Sequence, residues 1–217
     1  MTSRLIVFDL DGTLIDSRRD ITDSANAVLL ESGADPLPEE TIGRMVGDGA
    51  ARLLARAFVA AGREPPPNAL DRFIEIYNRR LLEHTRPYPQ VPQVLHELSE
   101  RGPLAVLTNK PLDATRRILA GLNLARYFSY DAVIGGDGPF PRKPDPAGMQ
   151  YLIAGAGVEP QTTTLVGDSL IDWSTAQNAS THVCLARYGF GFEGFPLDRL
   201  GDRLCVIDSP ADLLGVL

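Results

Sequence analysis

Two carboxylates stand two residues apart near the beginning of the chain, where Asp9 and Asp11 belong to the segment Asp-Leu-Asp-Gly-Thr. On an extended segment this spacing points both side chains the same way, and Gly12 permits a sharp turn directly after them. Such neighbours can divide a reaction, since one attacks as a nucleophile while the other gives and takes a proton. The structural alternative is a strand end with a helix cap on Asp11. A calcium loop is not indicated, because the following residues lack its further ligands and its closing Glu.

Two other polar groups follow apolar runs. Thr108 and Asn109 come after Leu-Ala-Val-Leu, where a hydroxyl and an amide can hydrogen-bond a phosphoryl oxygen. A helix cap ahead of Pro111 is the alternative. Lys143 stands between prolines in Pro-Arg-Lys-Pro-Asp-Pro, and a cation fixed in this way offsets the charge that develops on a transferring phosphoryl group. A solvated loop lysine is the alternative there.

An acidic pair closes the last of these runs, with Asp168 after a glycine and Asp172 four residues later. We interpret Asp168 as the third metal-binding carboxylate beside Asp9 and Asp11, with Asp172 in support. A strand end with a helix N-cap is the alternative. Ligation by oxygen alone suits Mg²⁺, whereas zinc would require His or Cys at the site. The histidines are isolated, and we expect each to be exposed or satisfied in the structure: His84, His96 and His182.

Short apolar runs that end in these polar residues predict buried parallel strands. Helical patterns separate the later runs, and this alternation predicts an α/β fold, a doubly wound parallel sheet of Rossmann-like type. Ligands bind at the carboxyl ends of such strands, so the acids, Thr108 and Lys143 should converge on one crevice. A cluster of like charges is costly unless a divalent cation neutralises it. The runs are residues 5–10, 104–109, 131–135 and 163–168.

A helical insert interrupts the strand pattern between residues 16 and 86. Three amphipathic segments occur there, around residues 21–29, 53–58 and 70–81, and the Gly- and Pro-rich turns 33–40 and 62–68 separate them. An insert of this size after the first strand predicts a separate cap. We therefore expect a catalytic core of residues 1–15 and 87–217 with an all-helical cap of residues 16–86.

Composition limits the classes of function. The chain has 217 residues, 44% of them hydrophobic, and a net charge of −7 without any basic run, which argues against binding to nucleic acid or to an anionic membrane. The N-terminal apolar run is too short for a signal peptide or a membrane span, so we expect a cytoplasmic protein. Cys184 and Cys205 lie in apolar runs typical of short strands and are expected to be buried free thiols, with a paired or reactive cysteine as the alternative.

In sequence the chain resembles the haloacid dehalogenase superfamily of phosphohydrolases. Its four motifs match residues 9–13, 108–109, 142–146 and 167–172. The helical insert is similar to the cap that these proteins carry between the first and second motifs. Within the superfamily the overall pattern resembles bacterial phosphoglycolate phosphatases. Two departures are Gln90, where relatives more often have Gly, and the absence of an Arg-Asn pair within residues 167–172.

The resemblance implies a role for each motif. It implies Asp9 as the nucleophile and Asp11 as the general acid and base, a second acid that favours phosphoryl transfer over carbon–halogen cleavage. Thr108 and Lys143 are implied as stabilisers of the phosphate and the intermediate. Asp168 is implied as a magnesium ligand beside Asp9 and the backbone carbonyl of Asp11, with Asp172 orienting the metal shell.

The cap segment Gly47, Asp48 and Gly49 opens a predicted helix that can offer N–H groups to a substrate carboxylate, and a plain helix start is the alternative. We therefore expect a magnesium-dependent phosphatase that acts on a small phosphorylated metabolite such as 2-phosphoglycolate, as a monomer or homodimer. A phosphosugar mutase, a phosphatase for another sugar or nucleotide phosphate, and a catalytically silent binding module are the alternatives.

Overall fold

Six parallel strands form one sheet in a computed structural model that describes residues 4–192 and 204–217. The strands of the described residues are β1 (Leu5–Phe8), β2 (Ile15–Asp16), β3 (Arg86–Pro87), β4 (Leu104–Leu107), β5 (Val133–Ile134), β6 (Thr163–Gly167), β7 (His182–Ala186) and β8 (Leu204–Ile207). The order in the six-stranded sheet is β5-β4-β1-β6-β7-β8, with β1 between β4 and β6, and a separate antiparallel ribbon joins β2 to β3.

Both faces of this sheet are buried, as the continuous apolar runs predict. Alternate residues of β1 belong to different hydrophobic clusters: Ile6 and Phe8 to one, Leu5 and Val7 to the other. The first cluster is closed by helices α5 (Val91–Ser99), α6 (Leu112–Gly121) and α9 (Leu213–Val216), and the second by α7 (Ala147–Ala156) and α8 (Leu170–Ala179). The prediction of a doubly wound α/β fold is confirmed.

Four helices occupy the insert: α1 (Arg18–Glu31), α2 (Glu39–Gly43), α3 (Ala50–Ala60) and α4 (Ala69–Arg80). The sequence pattern missed α2, because its five residues are too few to show an amphipathic period. The β2–β3 ribbon lies where the chain enters and leaves the insert. Next to it, the buried carboxylate of Asp20 accepts hydrogen bonds from the backbone N–H groups of His84 and Thr85. The division into core and cap remains a proposal. These contacts support it, because they join the two segments through which the chain enters and leaves the insert.

The backbone of Gln90 explains why relatives more often have Gly at this position. Its φ is 69°, in the left-handed region that favours glycine.

The expectation of free thiols is wrong, because Cys184 and Cys205 form a disulfide. The two cysteines lie directly opposite each other in the register of β7 and β8, a pairing that depends on tertiary structure.

The exposed histidines agree with the prediction for His84, His96 and His182. Among the described residues, every helix is too short or too polar to cross a lipid bilayer.

Candidate active site

A cavity of about 420 Å³ lies between the carboxyl edge of the sheet and the helical insert. The core contributes Asp9, Asp11 and residues 108–111 to its wall, and α4 contributes Phe73 and Tyr77. β1 and β4 are adjacent, so the segments that follow them open onto the same crevice. Of the residues expected to converge there, Asp9, Asp11, Thr108 and Asn109 line this cavity beneath the insert.

Asp9 is 6% exposed, and its Oδ1 lies 2.8 Å from Nζ of Lys143. Burial raises the pKa of Asp9 to about 6, against the opposing effect of the Lys143 charge. Burial alone would lower the pKa of Lys143, but the carboxylates of Asp172 and Asp9 outweigh it and raise the pKa above its ordinary value. A charged lysine therefore faces the carboxylate that the sequence indicates as the nucleophile.

Three acids form a buried cluster, since carboxylate oxygens of Asp9, Asp168 and Asp172 all lie within 4.8 Å of one another. Burial, followed by the charges of Asp172 and Asp9, raises the pKa of Asp168 well above its ordinary value. Glycines make this crowding possible: Gly12 has a φ of +84°, and a Cβ there would lie 1.9 Å from Oδ2 of Asp168. At Gly167 a Cβ would lie 2.2 Å from Cγ of Asp172.

This cluster has the donor chemistry that Mg²⁺ requires, because all of its ligand atoms are carboxylate oxygens. Asp172 is already engaged: Oδ1 accepts from Nζ of Lys143 at 2.6 Å, and Oδ2 accepts from the N–H and hydroxyl of Ser169. Asp168 accepts one hydrogen bond at Oδ2, from the backbone N–H of Gly191 at 2.7 Å. The geometry therefore suits Asp9 and Asp168 as direct ligands and Asp172 as a supporting group.

The carboxylate of Asp11 lies apart from the three-acid cluster. Nζ of Lys110 donates to Oδ1 at 2.9 Å and to Oδ2 at 2.8 Å, and the Ser17 hydroxyl donates to Oδ1. The structure thus differs from the expectation that the carboxylates of Asp9, Asp11 and Asp168 share one ion. The physical reason is the ion pair with Lys110, which occupies both carboxylate oxygens of Asp11.

Thr108 and Asn109 are both buried at the end of β4. Thr108 lines the cavity, and its Oγ1 accepts a hydrogen bond from the backbone N–H of Lys110 at 3.2 Å. The amide of Asn109 donates to the carbonyl of Gly47 at 2.9 Å and to that of Lys143 at 3.0 Å. Both amide protons are used, so in this arrangement Asn109 joins the insert to the Lys143 loop and has no proton for a phosphoryl oxygen.

The segment before α3 places two glycines on the cavity wall. Gly47 and Gly49 line it, next to the N-terminus of α3. Asp48 is not among the described residues that line the cavity, because its carboxylate pairs with Arg52 and Arg56 of α3 itself. The structure therefore brings Gly47 and Gly49 to the site but not the side chain of Asp48.

Sequence reasoning missed Lys110, Ser17 and Tyr77. Lys110 directly follows the Thr108–Asn109 pair, and its position at the carboxyl end of a predicted strand could have indicated that it belongs to the site. Ser17 lies six residues beyond Asp11, and nothing in the local pattern connects it to that carboxylate. Tyr77 belongs to a regular amphipathic helix, whose period predicts only that it is buried.

An open parallel sheet with a carboxylate nucleophile candidate, a buried lysine and an acid cluster at its carboxyl edge defines a Rossmann-like hydrolase. The family model described as haloacid dehalogenase-like hydrolase matches residues 6–186. The chain belongs to the haloacid dehalogenase-like hydrolase family. The resemblance noted from the four motifs is confirmed.

Similar proteins span nearly the whole chain. A phosphoglycolate phosphatase of Rhodospirillum rubrum is 40% identical over 97% of this chain and 89% of its own length. One of Caulobacter vibrioides is 35% identical over 98% of this chain and 91% of its own length. A crystal structure of a predicted phosphoglycolate phosphatase from Haemophilus somnus has a TM-score of 0.90 and 30% identity, covering 100% of this chain and 98% of that one. The chain is thus an enzyme similar to phosphoglycolate phosphatases.

Proposed function

We propose that the protein is a magnesium-dependent phosphomonoester hydrolase that forms a phosphoryl-aspartate intermediate on Asp9. The observation that carries this proposal is the placement of the Asp9 carboxylate. It lines the cavity, lies 2.8 Å from Nζ of Lys143, and belongs to the three-acid cluster with Asp168 and Asp172. A carboxylate in this setting is held by a fixed cation on one side and faces a substrate space on the other.

The residues support a reaction in two steps. In the first, an oxygen of the Asp9 carboxylate forms a bond to the phosphorus of the substrate, the bond from phosphorus to the leaving oxygen breaks, and Asp11, which enters this step as a carboxylic acid, gives that oxygen its proton. In the second, water attacks the phosphorus and gives its proton to Asp11, and the bond to Asp9 breaks. Inorganic phosphate and an alcohol are the products, and both carboxylates return to their starting states.

Lys143 and Thr108 stabilise the transferring group in this proposal. Nζ of Lys143 is fixed between two carboxylates, so it offsets charge on the phosphoryl oxygens without reorganising. Asp9 and Asp168 would hold Mg²⁺, with Asp172 supporting. A bound Mg²⁺ supplies charge neutralisation to the phosphoryl oxygens and lets the acids remain ionised.

We propose 2-phosphoglycolate as the substrate, because the similar proteins of R. rubrum and C. vibrioides are named phosphoglycolate phosphatases. This chain matches each of them over about nine tenths of its length. The space bounded by Gly47, Gly49 and residues 108–111 is where the glycolate portion would lie. Cytoplasmic location and a monomeric or homodimeric state remain predictions from the sequence.

A panel of phosphorylated metabolites with Mg²⁺, read out as released inorganic phosphate, tests the substrate. Asp9→Asn tests the nucleophile: we expect turnover to fall at least about a thousand-fold, while the circular dichroism spectrum stays native. The matched control is Asp131→Asn, an exposed acid remote from the cavity wall. More than a few per cent residual activity in Asp9→Asn would reject the assignment, and isomerised sugar phosphate without free phosphate would indicate a mutase.

A further inference from the structure

The chain uses lysine at only two of its 21 basic positions, Lys110 and Lys143, and arginine at the rest. Both lysines belong to the candidate active site, with side chains only 5% and 3% exposed. Lysine presents a compact point charge with three donors, whereas arginine presents a planar fork, so the two are not interchangeable in a confined ion pair. Lys143 already has a place in the proposed reaction, and Lys110 does not.

Lys110 holds the carboxylate of Asp11 at both oxygens, at 2.9 and 2.8 Å. The Ser17 hydroxyl donates to one of the same oxygens. Three hydrogen bonds from two separate segments of the chain therefore restrict the position of this carboxylate. A group that transfers protons must be held within hydrogen-bond reach of the leaving oxygen, and small displacements cost large factors in rate.

Lys110 also connects this carboxylate to the helical insert. Its Nζ lies 4.7 Å from the centre of the Tyr77 ring, on α4, and Tyr77 is 6% exposed. A cation over an aromatic face is attracted by the ring quadrupole, more strongly where water is excluded. Both residues line the cavity, as does Asp11, so the insert packs against the Lys110–Asp11 pair at the cavity wall.

We propose that Lys110 is a positioning residue that, together with Ser17, orients Asp11 toward the leaving-group oxygen. The proposal rests on the proposed function, since it assigns Asp11 the proton transfer. Lys110 acts through Asp11 and contacts neither phosphate nor leaving group. Its contribution therefore depends on how strongly a leaving group requires a proton.

The test compares two phosphomonoesters that both lack a carboxylate. Ethyl phosphate releases a strongly basic alkoxide that requires a proton, whereas p-nitrophenyl phosphate releases a stable phenolate that does not. The measured quantity is kcat/KM, which reports steps up to the formation of phosphoryl-Asp9. For Lys110→Met we expect a loss of about a hundred-fold or more with ethyl phosphate and less than about ten-fold with p-nitrophenyl phosphate. Equal losses with both substrates would overturn the proposal.

A second variant keeps the test informative if Lys110→Met does not fold, since that substitution leaves the buried Asp11 carboxylate unpaired. The double variant Lys110→Met/Asp11→Asn removes both charges. Its ratio of kcat/KM for the two substrates should match that of Asp11→Asn alone within about three-fold, because a positioning residue has nothing left to position. A further large loss in the double variant means that Lys110 contacts the substrate, which would also overturn the proposal.

Controls separate this inference from the proposed function. Arg79→Met removes an exposed cation from α4, and its substrate ratio should equal that of the unmodified protein. If the unmodified protein releases no phosphate from any phosphomonoester, or if Asp9→Asn stays active, the proposed function fails. If those two results are as expected and Lys110→Met loses activity equally with both substrates, only the role of Lys110 fails.

Discussion

The two lysines of the site sit in contrasting surroundings. Lys143 lies entirely within the core, between Asp9 at 2.8 Å and Asp172 at 2.6 Å. Lys110 contacts a single carboxylate, that of Asp11, and lies beneath a tyrosine of the insert. In both, burial alone would lower the pKa of the lysine, and the adjoining carboxylates raise it above the ordinary value; at Lys110 the adjoining Tyr77 adds to the rise.

The difference indicates a division of labour between two ionic clusters. One cluster combines the proposed nucleophile Asp9, a cation and the acids suited to Mg²⁺, and all of these residues lie outside the helical insert. The other combines the proposed proton donor Asp11 with Lys110, a cation that is covered by Tyr77 of the insert. We therefore expect the first cluster to control phosphoryl transfer for every substrate, and the second to control how the leaving group departs.

Among the tests that compare the two clusters, the largest effect should come from Lys143→Met. Because Lys143 is proposed to stabilise the phosphoryl group itself, we expect kcat/KM to fall by about 10² to 10³ for ethyl phosphate and p-nitrophenyl phosphate alike. The same two assays that test Lys110 measure it. A loss confined to ethyl phosphate would show that the two lysines share one role and would remove the distinction between the clusters.

Magnesium binding should stabilise the fold through the first cluster only. At a concentration about a thousand times its dissociation constant, Mg²⁺ should add about 4 kcal/mol to the free energy of unfolding. Asp168→Asn should abolish most of this gain, whereas Asp11→Asn should retain it, because the Asp11 carboxylate is bound to Lys110. Thermal unfolding with and without Mg²⁺ measures the effect. Equal losses of stabilisation in both variants would contradict the separation.

The pH dependence of the metal-free protein should reveal the first cluster as well. The pKa of Asp9 is raised from 3.8 to about 6, so the folded state binds its proton more tightly than the unfolded state. Its contribution to stability is present below about pH 4 and is lost as the pH rises toward and through about 6, by on the order of 2 to 3 kcal/mol. Urea unfolding of the protein and of Asp9→Asn across this range isolates the effect. If the difference in unfolding free energy between the unmodified protein and Asp9→Asn did not vary with pH, the raised pKa of Asp9 would be contradicted.

The smallest effect should come from Tyr77→Phe in the second cluster. The Tyr77 hydroxyl is buried next to Lys110, and burial raises its pKa to about 12 against the opposing effect of the Lys110 charge. Its removal keeps the ring over Lys110, so we expect a change in unfolding free energy within about 1 kcal/mol. Tyr77→Ala, which removes the ring, should cost about 3 kcal/mol or more. A loss above about 2 kcal/mol in Tyr77→Phe would mean that the hydroxyl has a partner.

Much of the first cluster was predictable from the sequence. Asp9 and Asp168 directly follow short apolar runs, and Lys143 lies in the loop after another; parallel strands bring the residues at their carboxyl ends to one edge of a sheet. The helical insert was equally predictable, since its amphipathic period and its Gly- and Pro-rich turns are local signals. The short helix α2 was not, because five residues show no period.

Contacts between distant segments were decided only by the tertiary structure. The sequence by itself determined which residue types reach the carboxyl edge of the sheet, because strand and helix patterns act over a few residues. It did not determine that Lys110 binds Asp11 across 99 positions, that Tyr77 covers Lys110, or that Cys184 pairs with Cys205. Those contacts depend on strand order, strand register and the packing of the insert, and all three arise from interactions between residues that are far apart in the sequence.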